Sequence, residues 1–221
     1  MMLGRVLALA AAIVAVANTS AAQSKAPIGR FAADLRVASS GLPTEPGWTP
    51  TVPSGTIVPT RGLGLEAGAH VFVLRIKSVK FGVGASWLTA RGSTSPPAPS
   101  GTTTAPPTIP DVTTRVTSFA PQVSMNFGHA LGWSYVSAGI GRATATSEAR
   151  LAGASPATSR RESDWTKTIN FGGGARWYVN DHLGFGFDLR WHKISLVPAS
   201  GTHPGAPRAS LLVLGAGLVL K

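Results

Sequence analysis

Large apolar residues alternate with tiny or charged residues along the segment from Leu183 to His192. Leucine, phenylalanine and tryptophan occupy the odd positions, whereas glycine, aspartate, arginine and histidine occupy the even ones. This strict period of two predicts a β-strand with one apolar face. The other face is charged but too rich in glycine for an ordinary solvent-exposed surface. The alternation therefore favours a strand with lipid on one side and a crowded polar interior on the other.

The same alternation recurs along the chain, and it predicts eight strands. They cover about Gly29–Ala38, Gly62–Leu74, Val79–Ala90, Val116–Phe127, Trp133–Thr144, Trp165–Tyr178, Leu183–His192 and Ser210–Leu220. Pro121 interrupts the fourth strand, because proline removes a donor from the hydrogen-bond ladder. In the fifth strand, either Val136 and Ile140 or Trp133 and Tyr135 could face lipid. We favour the first phase, because it turns serine and glycine inward.

Short and long connections alternate between these strands. Only a few residues separate strands two and three, four and five, and six and seven, whereas the other connections are long. Short turns at one rim and long loops at the other are typical of bacterial outer-membrane barrels. The sequence therefore predicts an all-β fold, an eight-stranded antiparallel up-and-down transmembrane β-barrel with both termini on the periplasmic side. Proline is frequent in the loops Ser39–Arg61 and Gly92–Arg115, which we expect to be weakly structured surface segments able to bind a partner.

The N-terminus predicts a cleavable signal peptide over residues 1–22. Arg5 precedes the apolar run Val6–Ala17, and small residues follow as far as Ala22. The run is too short to span a bilayer as a helix. Cleavage after Ala22 would leave 221 − 22 = 199 residues, so we expect the barrel domain to occupy residues 23–221.

Composition restricts the possible functions. The chain has no cysteine, which excludes disulfides, thiolate metal sites and thiol catalysis. Its formal net charge is +11, a balance often associated with nucleic-acid binding. Export makes a nucleic-acid partner a poor match, and an anionic membrane surface is the better one. We expect outer-membrane lipids and lipopolysaccharide as partners, and a monomeric protein.

A water-soluble, lipocalin-like barrel is the alternative fold. There the apolar face would point inward and the polar face would meet water, but here the polar face is dominated by glycine. Repeated glycine suits the narrow interior of an eight-stranded membrane barrel better. Aromatic residues near the strand ends also predict two belts at the membrane interfaces. Trp87, Phe119, Trp165 and Trp191 would lie near the long-loop rim, and Phe127 and Trp177 near the short-turn rim.

The inward face carries charges that must pair with each other, because they lose their water. We predict an interior charge network that plugs the lumen. Its members are Asp34, Glu66, Lys80, Arg176, Asp188 and Arg190, with Arg36, His70 and His192 also facing inward. A proton path or a ligand site is the alternative interpretation of these residues.

Basic residues mark the long-loop end of almost every strand. We interpret them as a basic collar facing lipopolysaccharide phosphates, because arginine binds phosphate through two parallel hydrogen bonds. The collar comprises Arg61, Arg91, Arg115, Arg142, Lys167, Lys193 and Arg208. Scattered solubilising charge is the alternative, since Arg75 and Lys77 lie at a periplasmic turn.

Motifs for catalysis are weak, and we expect no cofactor and no metal. Some eight-stranded barrels modify lipid A with a histidine and a serine near the outer rim, and this chain has His192 and Ser195 there. An odd spacing turns two residues of a strand to opposite faces. The remaining histidines are too scattered to suggest a metal site.

Two hairpins resemble a known family. The segment from Asn170 to Trp191 resembles the last hairpin of the small outer-membrane β-barrel domain family, which includes OmpA/OmpX-like and OmpW-like proteins. Phe119–Gly141 is similar to a middle hairpin of that family. The resemblance implies an outer-membrane barrel. Because catalytic motifs are weak, we expect a non-enzymatic structural or surface-interaction role, with a narrow channel for small or hydrophobic molecules, as in OmpW-like relatives, as the alternative. One departure is the C-terminus, which ends Leu218–Lys221 where the family has an aromatic residue.

Overall fold

The computed structural model describes residues 28–95, 109–151, 159–199 and 205–221. Within these ranges the chain forms nine β-strands, and no helix there is long and apolar enough to cross a membrane. The strands are β1 (Phe31–Gly41), β2 (Arg61–Ile76), β3 (Val79–Thr94), β4 (Asp111–His129), β5 (Gly132–Arg150), β6 (Ser159–Glu162), β7 (Thr166–Tyr178), β8 (Leu183–Ile194) and β9 (Ala209–Leu220). The predicted signal peptide lies outside the described residues.

Eight of the nine strands close into an antiparallel barrel. The closing pair joins β1 to β9, from Ala33 opposite Leu220 to Ser40 opposite Val213. The short strand β6 lies outside this ring, because it pairs with the outer end of β5 beyond the contact between β5 and β7. The predicted eight-stranded up-and-down barrel is confirmed, and β6 is a short addition to its outer end.

The two faces of the barrel wall are inverted relative to a water-soluble protein. Large apolar side chains point outward, as Leu35 and Val37 do, while Arg36 between them is buried. In β5, Ile140 is exposed and Tyr135 is buried, which confirms the phase that we favoured. A closed ring leaves no unpaired strand edge, and a continuous apolar outer surface requires lipid as its solvent. The barrel therefore spans a membrane, and the lipocalin-like alternative is wrong.

The strands of the middle hairpin are longer than predicted. β4 and β5 have 19 residues each, so at about 3.3 Å per residue and a tilt of about 40° each rises about 48 Å. The apolar band of such barrels is only about 25 Å tall, so the outer ends project beyond the membrane. The prediction stopped short because outward residues such as Thr146 and Glu148 are polar there. Alternation of apolar and polar residues ends where lipid ends, but strand pairing continues.

Pro121 interrupts one ladder without ending its strand. It faces outward on β4, opposite Ala85 of β3. The pairing of β4 with β5 passes from Phe119 opposite Arg142 directly to Gln122 opposite Gly139. Since proline has no N–H to donate, the gap in the ladder is local and β4 continues on both sides of it.

The periplasmic end of the barrel is tied together by the C-terminal residue. The backbone N–H of Lys221 donates to the carbonyl oxygen of His182 at 3.0 Å. Its ammonium donates to the carbonyl of Ala130 and lies 4.2 Å from the ring centre of Tyr178. Burial lowers the pKa of Lys221 below its ordinary value, an effect that the charge of Asp181 partly opposes.

The predicted aromatic belts lie on the lipid-facing surface. Trp87 of β3 is directly opposite Phe119 of β4 near the outer end of the barrel. Towards the other end, the rings of Trp177 and Phe185 stack with their centres 5.5 Å apart. Such rings favour the interface between lipid tails and head groups, so the two groups mark the upper and lower boundaries of the membrane.

The long connection between β1 and β2 folds back over the outer mouth of the barrel. The expectation of a weakly structured loop is wrong for residues 42–49. Most of the second loop, residues 96–108, lies outside the described residues. Trp48 is 1% exposed, and its indole N–H donates to the carbonyl oxygen of Pro207 at 2.8 Å. Arg161 of β6 donates to the carbonyl of Gly47 at 2.7 Å. Gly47 has a φ of 97°, a conformation that glycine adopts at low cost, and this turn directs Trp48 into the barrel.

Candidate functional site

The lumen is filled in three layers, which we name by their position. The inner layer, at the periplasmic end, is apolar and consists of Ile28, Ala32, Phe72, Trp133, Tyr178 and Val219. The outer layer, under the folded-back loop, is apolar as well. It consists of Leu42, Trp48, Val116, Ala143, Ala145, Ile194, Val197, Ala206, Ala209 and Leu211. The middle layer between them is charged and forms the candidate site.

Seven side chains form the core of the middle layer, and none is more than 5% exposed. They are Asp34 and Arg36 of β1, Glu66 of β2, Tyr135 of β5, Arg176 of β7, and Asp188 and Arg190 of β8. The strand period explains their convergence, because residues two apart on a strand share a face. Each of these positions belongs to the inward phase of its strand, and the curvature of the barrel brings them together.

Asp34 organises one half of the middle layer. Its carboxylate accepts two parallel hydrogen bonds from Arg176, at 2.9 Å from Nε and 2.7 Å from Nη2. Arg36 lies beside the same carboxylate, with Nη2 2.6 Å from Oδ1. The third donor of Arg176, Nη1, reaches the amide oxygen of Asn126 at 3.3 Å. The geometry between Asp34 and Arg176 is the bidentate form that gives strong, directional pairs.

Asp188 organises the other half. It accepts hydrogen bonds from Nε and Nη2 of Arg190, both at 3.0 Å, although the two residues lie on the same strand. Arg190 also donates to the hydroxyl of Ser137 at 2.8 Å and to the amide oxygen of Asn170 at 3.2 Å. These contacts join one guanidinium to four acceptor atoms on three residues, so this buried cation is well compensated.

Tyr135 joins the two halves. Its hydroxyl accepts a hydrogen bond from Arg36 at 2.9 Å and donates one to Asp188 at 2.6 Å. Its ring lies under the guanidinium of Arg176, with 4.0 Å between Cζ and the ring centre. One side chain therefore contacts both arginine–aspartate pairs, and the middle layer is a single connected network rather than two separate ion pairs.

Glu66 is the most loosely held acid of the middle layer. Its Oε1 lies 3.6 Å from Nη1 of Arg36 and 3.6 Å from Nε of Arg190. Both contacts are ion pairs, but their separations are too long for hydrogen bonds. With Glu66 included, the layer holds three carboxylates and three guanidinium groups. The formal charges therefore balance, as the burial of ions requires.

The structure brings together five of the six residues predicted for the network. Lys80 is the exception, and its inclusion was a mistake. Its ammonium donates to the carbonyl oxygens of Ile28 at 2.5 Å and Gly29 at 2.9 Å, near the periplasmic end. The long lysine side chain extends from β3 to the start of β1 instead of towards the acids. The alternation gave its face correctly, but it carries no information on height along the barrel.

Sequence reasoning did not assign two important residues. Tyr135 was placed on the inward face, but its bridging role follows only from the distances to Arg36 and Asp188. Trp48 lies in a proline-rich loop and was not assigned to the interior at all. The available signal for Tyr135 was a hydroxyl on a face that also carries charges. A single tryptophan among prolines was the corresponding signal for Trp48.

The seven residues of the predicted collar are all exposed at the outer end of the barrel. They form two rows on the outward face, as strand register shows. Arg91 lies directly opposite Arg115, with Arg61 on the neighbouring strand β2. Arg142 lies directly opposite Lys167, and Lys193 and Arg208 continue this second row towards β9.

His192 and Ser195, the histidine and serine near the outer rim, lie in different surroundings. His192 is buried in the lumen, 3% exposed, opposite Asn170 of β7, whereas Ser195 lies beyond the end of β8. No group of three histidine, aspartate or glutamate side chains in the described part of the chain could hold a metal ion. The buried carboxylates pair with arginines, so they do not form an open ligand set.

One solved outer-membrane protein shares this fold, and two others align with it at lower TM-scores. Neisserial surface protein A aligns over 87% of this chain and 97% of its own, with a TM-score of 0.50 and 13% identity. Ail, the attachment invasion locus protein of Yersinia pestis, covers 87% of this chain and 99% of its own, with a TM-score of 0.46 and 12% identity. The outer membrane protease OmpT from Escherichia coli covers 73% and 64%, with a TM-score of 0.45 and 9% identity.

No family model and no curated protein matches the sequence. The likeness to Neisserial surface protein A is therefore a likeness of fold. It agrees with the closed antiparallel ring. This chain is an eight-stranded β-barrel of the bacterial outer membrane, the class of protein that its hairpins resemble in sequence.

Proposed function

We propose that this protein is a non-enzymatic outer-membrane barrel with a plugged lumen and a structural or surface-interaction role. The filling of the lumen by three successive layers carries the proposal. Each layer contains side chains that are almost fully buried, including Trp133 in the inner layer, Arg176 in the middle and Trp48 in the outer. An eight-stranded barrel is just wide enough to be filled by side chains.

The middle layer supports a plug better than a conducting path. Its charged groups are directed at one another, with Asp34 bound to Arg176 and Asp188 bound to Arg190. A water-filled pore would instead present such groups to solvent. The aromatic rings of Trp133 and Tyr178 stack below the network, with centres 4.7 Å apart. Both ends of the network are therefore covered by apolar groups.

Conductance across a planar bilayer tests the plug. We expect the purified barrel to leave the bilayer at its baseline conductance, because buried side chains occupy each of the three layers. Heat-modifiable migration of the same preparation on a gel shows that the inserted protein is folded. Steady single-channel steps from the folded protein would contradict the proposal and favour a narrow channel for small or hydrophobic molecules.

The absence of catalysis is tested on the lipid itself. A lipid A-modifying activity would require a nucleophile and a base at the outer rim, but His192 is enclosed in the lumen. We expect the mass spectrum of lipid A to be the same with and without expression of the protein. A new lipid A species that disappears in the His192→Ala variant would overturn this part of the proposal.

The outer rim is proposed to face the anionic lipopolysaccharide leaflet through the basic collar. In each row, two cations lie directly opposite each other, an arrangement that is destabilising unless anions compensate it. Arg91 and Arg115 make no ion pair with any described residue, and the same holds for Arg142 and Lys167. Phosphate groups from outside the protein are the natural counter-charges.

Changing all seven collar residues to glutamine tests this contact. We expect binding of lipopolysaccharide to the detergent-solubilised barrel to weaken at least about tenfold, and the remaining binding to lose most of its salt dependence. A control variant changes Arg30, Arg75 and Lys77, three cations at the periplasmic end, to glutamine. Equal binding by the collar variant and the wild type would show that the charges serve solubility only.

The projecting strands supply the proposed surface role. The outer ends of β3, β4 and β5, together with β6, rise above the membrane as a continuous sheet. Hydroxyl pairs such as Ser93–Thr113, at 2.9 Å, lie on its exposed side. A polar sheet held rigidly above the lipid surface is a suitable platform for a partner outside the cell.

A further inference from the structure

We infer that the outer face of the barrel centred on β5 and β7, with neighbouring residues of β3, β4 and β8, is a seat for one phosphorylated glycolipid of the outer leaflet. The inference rests on the proposed contact between the collar and lipopolysaccharide, and it assigns that contact to one place and one class of lipid. Three features occur in order along this face: a polar cavity, a cation cluster formed by Arg142, Lys167 and Lys193, and an apolar groove. The order matches the sugar, phosphate and acyl parts of such a lipid.

The cation cluster is the centre of the seat. Arg142 and Lys167 are directly opposite each other on β5 and β7, and Lys193 pairs with Ile169, two residues further along β7. All three side chains are exposed, and none forms an ion pair with any described residue. Two or more cations without an internal counter-charge fit a phosphate group, which accepts several charge-assisted hydrogen bonds at once.

The apolar groove lies below the cation cluster on the lipid-facing side. It has a volume of about 470 Å³, and its walls include Phe81, Val123, Val136 and Phe171. Ala138 forms its floor between the larger side chains. A groove on a membrane surface is filled by hydrocarbon, and phenylalanine and valine side chains that line it make favourable contacts with an acyl chain.

Phe171 connects the groove to the cation cluster. Its ring forms a wall of the groove, and the ammonium of Lys193 lies 5.7 Å from its centre. Ala138 and Val136 are four and six residues below Arg142 on β5. At about 3.3 Å per residue and a tilt of about 40°, these positions are about 10 to 15 Å deeper in the membrane. That depth is within one leaflet of a hydrocarbon core about 30 Å thick.

The polar cavity lies above the cation cluster. It has a volume of about 450 Å³ and is lined by Thr144, Arg160, Glu162, Asp164 and Trp165, among others. Thr144 and Trp165 are each two residues from a member of the cluster, Arg142 and Lys167 respectively. Trp165 is 49% exposed. An exposed aromatic ring beside carboxylates and hydroxyls offers a stacking face and hydrogen-bond partners for a sugar ring.

The polar cavity distinguishes a glycolipid from other anionic lipids. A glycerophospholipid would use the cations and the groove, but it would leave the cavity beside Trp165 without a function in binding. A glucosamine-based diphosphoryl lipid uses all three features. The first row of the collar adjoins a smaller cavity of about 290 Å³, lined by Arg61 and Arg91, whereas the groove residue Phe171 contacts Lys193 of the second row. We therefore place the glycolipid on the second row.

Native mass spectrometry of the detergent-solubilised barrel tests the seat, with hexa-acylated diphosphoryl lipid A as the probe. We expect one lipid A per barrel, and at least about a tenfold loss of affinity in the Arg142→Gln/Lys167→Gln variant. The Arg91→Gln/Arg115→Gln variant removes the same charge from the first row and should lose less than about threefold. Ala138→Phe fills the groove without changing charge, and it should also weaken binding.

Further variants and a second lipid identify which class of lipid binds and distinguish the possible results. Trp165→Ala should weaken lipid A binding but leave dioleoylphosphatidylglycerol binding unchanged. Equal loss from both charge pairs would show a diffuse collar and no seat, and equal affinity for the two lipids would show an acidic phospholipid site. Either result overturns the seat. The proposed collar fails only if the seven-residue variant binds lipopolysaccharide as the wild type does, so the two failures can be told apart.

Discussion

The middle and outer layers of the lumen close the same barrel by different means. The middle layer is built from strand residues and held by directed contacts, such as the paired hydrogen bonds between Arg176 and Asp34. The outer layer is apolar, and its largest side chain, Trp48, comes from a loop that turns back into the mouth. Charged groups need fixed partners, whereas apolar groups need only contact.

This difference predicts different consequences of damage. Removing one member of the middle layer leaves a charge without its partner inside a closed wall, so the whole barrel should lose stability. Removing Trp48 should release the loop but leave the hydrogen-bonded ring intact. The layers are therefore expected to respond to different measurements, the first to global unfolding and the second to local opening.

The largest effect is expected for Asp188→Ala. The variant leaves Arg190 without its two shortest carboxylate contacts and removes the acceptor of Tyr135. Breaking a buried pair in this way costs about 3–5 kcal/mol. Urea unfolding of the barrel in lipid vesicles, followed by tryptophan fluorescence, measures the loss.

The control for this change is Glu148→Ala. Glu148 pairs with the exposed Arg160 at 3.3 Å outside the ring, and exposed pairs contribute at most about 1 kcal/mol. A loss in Asp188→Ala no greater than in this control would mean that the middle layer does not stabilise the barrel.

Trp48→Ala should act on the outer layer alone. Loss of a buried tryptophan costs about 3 kcal/mol at the low end of its usual range. If the substitution lowers the free energy of loop opening by this amount, cleavage of residues 42–60 by added protease should accelerate about a hundredfold. Ile57→Ala is the matched control, because Ile57 lies on the same loop and is 55% exposed. Global unfolding at the free energy of the wild type is expected, and a large global loss would show that the layers are not separate.

Tyr135→Phe removes only the hydroxyl that joins the two halves of the middle layer. Arg36 loses an acceptor and Asp188 loses a donor, and hydrogen bonds to charged groups contribute about 1.5–3 kcal/mol each in typical cases. We expect a net loss of about 2 kcal/mol. Tyr178→Phe is the control, because the Tyr178 hydroxyl has no hydrogen-bond partner among the described residues. Indistinguishable unfolding curves for the two variants would rule out a bridging role.

The smallest effect is expected for Gly215→Ala. A Cβ at this position would lie 2.9 Å from Oε2 of Glu66 and 3.3 Å from Cδ of Arg36. Both neighbours are side chains that can shift, so we expect a loss of about 1 kcal/mol from overpacking. The adjacent Ala216→Val variant adds bulk on the lipid side and should leave the unfolding free energy unchanged. A stabilised Gly215→Ala barrel would show that the middle layer has spare volume at Glu66.

The amino-acid sequence by itself determined the wall of this protein. The two-residue period shows which residues of a strand share a face. The eight strands, the lipid-facing phase of β5 and the inward position of Asp34, Arg176 and Asp188 could therefore all be predicted. Alternating short and long connections supplied the order and direction of the strands. These features are local, because each depends on residues close together in the chain.

Only the tertiary structure decided what meets inside the wall. Assigning a residue to one face of a strand does not give its height along the barrel axis. It could therefore not distinguish Lys80, which contacts the start of β1, from the arginines that contact the acids. It could not place Trp48 either, because a loop has no period and its burial depends on the carbonyl of Pro207, 159 residues away. Strand tilt and closure fix these heights and distances, and they are properties of the whole ring.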